Sequence, residues 1–192
     1  MKPAQRYGTL AITLHWLIAL LVFAQIWLGW WMIEIPKYPV GVRAAWFNLH
    51  KSIGLSIALL IVLRLAWRMR QAPPPLPAAL PRWQARAAGV NHFLLYAALL
   101  VQPLVGYLGS SFSGYPVRYF GIKLPGWGWE WPAAKDFLSQ VHLGLAWLVT
   151  LLVLAHITAA VAHLVKRDGI FQRMLPRALS APAAAEEAQR AG

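Results

Sequence analysis

Cysteine is absent from the chain. That excludes disulfides, thiolate metal sites, iron–sulfur clusters and the covalent C-x-x-C-H attachment of a haem. Acidic residues are nearly as scarce, six against eighteen Lys and Arg in 192 residues. Charged residues of both signs make up 12%, roughly half the share in a soluble domain. What fills the space is apolar: 59% of residues are hydrophobic and the mean hydropathy is +0.50. These values place the chain in the membrane class. A net charge of +12 would suggest nucleic acid in a soluble protein. Here the charges lie between apolar runs, where topology and anionic headgroups explain them, so no nucleic-acid partner is expected. The sequence shows no soluble domain and no internal repeat at a fixed period.

The apolar runs predict four transmembrane helices over residues 10–33, 47–67, 89–111 and 137–165. The first could be confused with a signal peptide. At 24 residues, ending in Trp30 and Trp31, it is too long for the apolar core of one. Arg64 and Arg68 close the second span, where long side chains can snorkel to headgroups. Residues 69–88 hold Pro73, Pro74, Pro75, Pro77 and Pro81 and read as an extended linker that cannot continue a helix. Pro103, Gly106 and Gly109 predict a kink or close packing in the third span. Trp127, Trp129 and Trp131 in the long loop at 112–135 suit an interfacial belt. Residues 166–192 read as a basic, then Ala/Glu-rich tail. The expected fold is all-α: one integral membrane domain over 1–192, a four-helix bundle with a cytoplasmic tail. Twelve of the eighteen Lys and Arg lie on the side of the termini and the second loop. The positive-inside rule then puts both termini in the cytoplasm.

The span after Val141 has no charged residue up to Val165, yet it holds His142, His156 and His163. An imidazole in such a helix needs a partner, so it is read as functional by default. His142 and His156 are fourteen residues apart, within about 40° of one face and roughly 21 Å apart along the axis. Depth, judged by distance to flanking charges, matches His50 with His142 and His15 with His156. Each match puts one ring on the fourth helix and one on another, as a haem wedged between helices requires. The spacing therefore points to two stacked haem sites. His92 and His163 are shallower. They could ligate together, but the more ordinary reading is interfacial histidines bonded to propionates or headgroups. A zinc site is disfavoured because no three ligands share one depth. A proton relay is disfavoured because the spans contain no Asp or Glu.

The motifs carry a family resemblance. They are LHW at 14–16, HKSIG at 50–54, NHFLLY at 91–96, VHLGLAW at 141–147, LAHITAAVAHL at 154–164 and RMLPR at 173–177. In order and spacing the chain resembles the bacterial cytochrome b561 family over nearly its whole length. The resemblance implies two non-covalent, bis-histidine haem b groups in a four-helix bundle of the inner membrane. The matching ligand positions are His15 and His156 for the inner haem iron and His50 and His142 for the outer one. His92 and His163 match recurring positions that are not iron ligands.

Such a protein is expected to transfer electrons across the bilayer, with ubiquinone or another quinone as membrane partner. The family includes a superoxide oxidase, which makes a superoxide:ubiquinone oxidoreductase the first expectation, superoxide being oxidised on the periplasmic side. A haem-bearing subunit serving a periplasmic redox partner is the second. A haem-free structural or transport protein is the third. The outer segments carry Lys37, Arg43, Lys51, Arg118, Lys123 and Lys135 against Glu34, Glu130 and Asp136. That excess would attract a small anion. Lys51, beside His50, is the candidate for guiding it; the alternatives are a headgroup anchor or a propionate partner.

Overall fold

A computed structural model of the protein describes residues 6–39, 41–77 and 80–176. Four long helices dominate it: α1 (Thr9–Met32), α2 (Val42–Arg70), α3 (Arg82–Ser111) and α4 (Pro132–Lys166). All four are long and apolar enough to cross a membrane. Large apolar side chains such as Leu20, Phe23, Trp27, Leu59 and Leu151 point outward and are exposed in the isolated chain. In lipid such faces need no cover, because hydrocarbon is as apolar as they are.

All four helices begin before the apolar runs do, α1 by a single residue and the other three by more than a turn. The lipid-embedded stretch predicts where a helix is dry, not where it starts. α2 opens at Val42 and takes in Arg43 and Trp46, and α4 opens with Pro132 as its first residue, a position where the missing N–H is no loss. The proline-rich linker ends sooner than expected. Pro81 is the N-cap of α3, and residues 82–88 are helical. α4 closes on Arg167 in the left-handed region, with φ 53°. A 3₁₀ turn, η1 (Phe171–Met174), follows it. The rest of the expected tail, 177–192, lies outside the described residues.

α1 packs on α2, α2 on α3 and, most extensively, α3 on α4. No comparable backbone approach joins α4 to α1 or α2. Small residues explain the tight α3–α4 seam. A Cβ on Gly109 would lie 3.3 Å from Leu138 Cβ. Midway along the bundle every helix contributes to one apolar plug: Ile18 and Val22, Ile57 and Ile61, Ala98, and Val149. Val149 is seven residues from both His142 and His156.

The bundle has two unlike ends. The terminal end holds the start of α1, the end of α4 and η1. The loop end holds the α1–α2 and α3–α4 connections. In the longer of these, β1 (Arg118–Tyr119) and β2 (Ile122–Lys123) form an antiparallel hairpin. Phe120 and Gly121 both have positive φ, 45° and 91°, the geometry of a type I′ turn. Phe112 packs edge-on against Trp129 and Trp131, whose rings stack.

Candidate functional site

At both levels of α4 a ring from another helix meets it. His50 of α2 faces His142 with ring centroids 6.2 Å apart and planes at 73°. His15 of α1 faces His156 at 6.0 Å and 72°. Each pair thus spans the side of the bundle where α4 stands off from its neighbours.

At the loop end glycines seat the rings. A Cβ on Gly29 would lie 3.3 Å from His50 Cε1, and one on Gly106 would lie 2.9 Å from His142 Cε1. The Cε1 edges therefore press on α1 and α3. Gln102 O is 3.1 Å from His142 Nδ1, so a proton on Nδ1 is satisfied and Nε2 keeps its lone pair. Two glutamines reinforce the arrangement. Gln25 Nε2 donates to His50 O at 2.8 Å, and Gln102 Nε2 donates to His142 O at 3.0 Å. His50 Nδ1, Gln25 Oε1 and Gln102 Oε1 are buried without a hydrogen-bond partner.

The hairpin is tied down beside this pair. Ser52, only 1% exposed, accepts from Phe120 N at 2.9 Å and donates to Asn48 O at 2.8 Å. Ser56 Oγ lies 3.1 Å from Tyr119 Oη. Lys51, next to Ser52, makes no hydrogen bond or ion pair among the described residues. Across the hairpin Arg118 is paired in register with Lys123, so two further cations flank the same end.

The terminal end is built differently. Arg64 does not reach outward to headgroups as its position in the sequence suggests. It is part-buried, and it donates from Nε to Tyr96 Oη at 2.9 Å and from Nη1 to Ala11 O at 2.7 Å. It thereby ties α2 to α3 and α1 one turn from His92 and His15. His92 also lies close to this pair: its ring is 5.3 Å from that of His156. His163 pairs with Asp168, Nδ1 to Oδ2 at 2.6 Å. Burial works to raise the Asp168 carboxyl, but hydrogen bonds from His163 and the Ile170 N–H outweigh it. The carboxyl is held below its ordinary value of 3.8. Arg173, 3% exposed, donates to Pro74 O and Pro75 O at 2.7 and 3.0 Å and lies over the Tyr7 ring. Trp16 Nε1 donates to Met174 O at 2.7 Å. Beside it an apolar groove of about 440 Å³ is lined by Thr9, Ile12, Thr13, Trp16, Leu17 and Pro176.

Two imidazole pairs on one membrane helix have a counterpart among known proteins. The profile described as prokaryotic cytochrome b561 matches residues 6–177. The chain belongs to the prokaryotic cytochrome b561 family. Cytochrome b561 homolog 2 of Escherichia coli K12 is 34% identical over 92% of this chain and 94% of its own length. Cytochrome b561 homolog 1 of the same organism is 27% identical over 90% and 98%. A probable superoxide oxidase, CybB, of Yersinia pestis is 27% identical over 90% and 97%. A b561 cytochrome is a membrane electron-transfer protein that binds haem b.

The residues fit that group. Two imidazoles sharing one metal ion need about 2 Å of metal–nitrogen bond on each side plus about 1 Å from nitrogen to ring centre, so their centroids stand about 6 Å apart. Both pairs meet that spacing, at 6.2 and 6.0 Å. At 5.3 Å, His92 and His156 are too close for it. Among the described residues no three His, Cys, Asp or Glu side chains gather as a metal set.

The residues that sequence reasoning missed at this site are Gln25, Gln102, Ser52 and Arg64 in its inward role. A signal for two of them is present. Gln25 and Gln102 are amides inside apolar spans, each followed four residues later by glycine.

Proposed function

We propose that the protein holds two haem b groups, one between His50 and His142 and one between His15 and His156. We propose further that it acts as a superoxide:ubiquinone oxidoreductase of the inner membrane. Haem bound between paired imidazoles supplies one-electron chemistry with no open coordination position. The observation that carries the reading is the pair of 6 Å imidazole contacts at both ends of one apolar helix. The positive-inside count supports cytoplasmic termini and a periplasmic loop end. The domain then reads as one transmembrane unit over 1–192 with a cytoplasmic tail from 166.

The chain's own residues suggest a division of labour. At the loop end Lys51, Arg118 and Lys123 surround the His50 side with positive charge. Such a rim raises the encounter rate of a small anion such as superoxide. At the terminal end the groove along Trp16 adjoins His15, the two rings being 5.4 Å apart, and offers an apolar slot for a quinone ring. Two superoxide anions would give two O₂, and one quinone would take up the two electrons and two protons. The named relative from Yersinia pestis supports this chemistry at 27% identity.

The test uses purified, detergent-solubilised full-length protein. Haem content of two per chain, reduction of the haem band by superoxide and quinone reduction without any other protein are expected. Absence of haem reduction by superoxide would sink the oxidase reading. It would leave the second reading, a haem subunit that exchanges electrons between quinone and a soluble redox partner. A colourless protein would sink both.

A further inference from the structure

The two halves of the bundle present the same unit to the loop-end histidines. On α1, Gln25 and Gly29 face His50 of α2. On α3, Gln102 and Gly106 face His142 of α4. In both, the glutamine amide donates to the histidine carbonyl. In both, the glycine one turn later makes room for the ring. The repeat is broken at one atom. His142 Nδ1 has Gln102 O as partner, whereas His50 Nδ1 is buried with none.

An imidazole that offers Nε2 to iron carries its proton on Nδ1, and such a proton almost always finds an acceptor. Beside His50 an acceptor is waiting. Gln25 Oε1 is itself buried and unpartnered, on a side chain that already touches His50. Room for the amide comes from Gly54, where a Cβ would lie 3.2 Å from Gln25 Nε2. We propose that Gln25 is the positioning residue of His50, gripping it at two points: Nε2 to its carbonyl and Oε1 to its Nδ1–H. This rests on reading His50 as an iron ligand.

The consequence is a difference in tunability. His142 leans on a backbone carbonyl that substitution cannot remove. His50 leans on a side chain. A hydrogen bond from Nδ1–H makes the imidazole more basic, which favours the ferric iron and lowers the reduction potential.

The experiment is redox potentiometry of full-length, haem-loaded protein carrying Gln25→Met or Gln25→Glu, with haem content measured in parallel. Gln25→Met keeps the length and loses the acceptor. It should favour reduction of the loop-end haem by about tenfold, a rise of about 59 mV for one electron. Gln25→Glu should move the same haem the opposite way, and the terminal-end haem should stay put in both. Shifts of one sign in both variants, or none in either, overturn the proposal. Because a variant could release its haem, the unsubstituted protein supplies an independent readout. A glutamine carbonyl band should move in its redox-difference infrared spectrum, and a static band overturns the proposal. Failure of the underlying reading looks different: His50→Ala would then retain two haems at unchanged potentials.

Discussion

The two ends of the bundle solve one problem in two ways. The loop-end pair is fixed by neutral groups: glycines that admit the rings, glutamines on the histidine carbonyls and a serine that pins a hairpin alongside. The terminal-end pair is fixed by cations. Arg64 bridges three helices, and Arg173 clasps the proline linker, the N-terminal segment and η1. A neutral scaffold leaves the surface charges at the loop end free to act on a ligand. A cationic scaffold places positive charge inside the fold, next to the rings. The difference lies in what holds the rings: neutral groups at one end, buried cations at the other.

The largest test of that contrast is to remove one ligand at a time. His142→Ala should leave one haem per chain with the spectrum of the terminal-end site, and His156→Ala should leave the other. Haem assay with low-temperature spectra of the reduced protein separates the two, and two haems in either variant would refute the pairing. Arg173→Met comes next. It removes the hydrogen bonds from the buried guanidinium to Pro74 O and Pro75 O and should lower stability by about 1–3 kcal/mol. Thermal release of the terminal-end haem should come earlier while the loop-end haem is little changed. Equal loss at both ends would erase the distinction. Arg64→Gln removes a charge near His15 and His156 and should lower the midpoint of the terminal-end haem alone, since a nearby cation favours the reduced state. The smallest effect concerns Asp168. Its carboxyl is depressed, so its pairing with His163 stabilises above the ordinary value of 3.8 and is lost as pH falls through the depressed one. Acid titration of wild type against Asp168→Asn should diverge only above that window, and at the terminal end only.

Much of this architecture was legible in the sequence because lipid imposes a simple code. Apolar runs free of Asp and Glu mark the helices, and depth between flanking charges suffices to bring His50 toward His142 and His15 toward His156 in space. What escaped follows a pattern. Arg64 lies where snorkelling is ordinary, and only the positions of Ala11 O and Tyr96 Oη turn it inward. His92 is shallow by sequence, yet its ring lies against that of His156 because α3 and α4 pack so closely. The early helix starts carry charge and tryptophan, to which hydropathy is blind. The hairpin has two-residue strands and a Phe-Gly turn, too short for alternation to register. Gln25 and Gln102 look like tolerated polar residues until the carbonyls they serve are known.

The apolar plug around Val149 has an electrical meaning. None of its side chains carries a group that could pass a proton, and the apolar spans predicted over 10–33, 47–67, 89–111 and 137–165 contain no Asp or Glu. The plug thus puts no proton-carrying side chain of its own between the two histidine levels. A negative charge transferred from the loop end to the terminal end would then cross most of the dielectric alone. With the terminal end on the cytoplasmic side, as proposed, that displacement runs against a membrane potential negative inside and costs about 2.3 kcal/mol per charge for each 100 mV. On that proposed orientation, turnover in an energised membrane would slow as the voltage grows, and the bundle would behave as a voltage-dependent resistor.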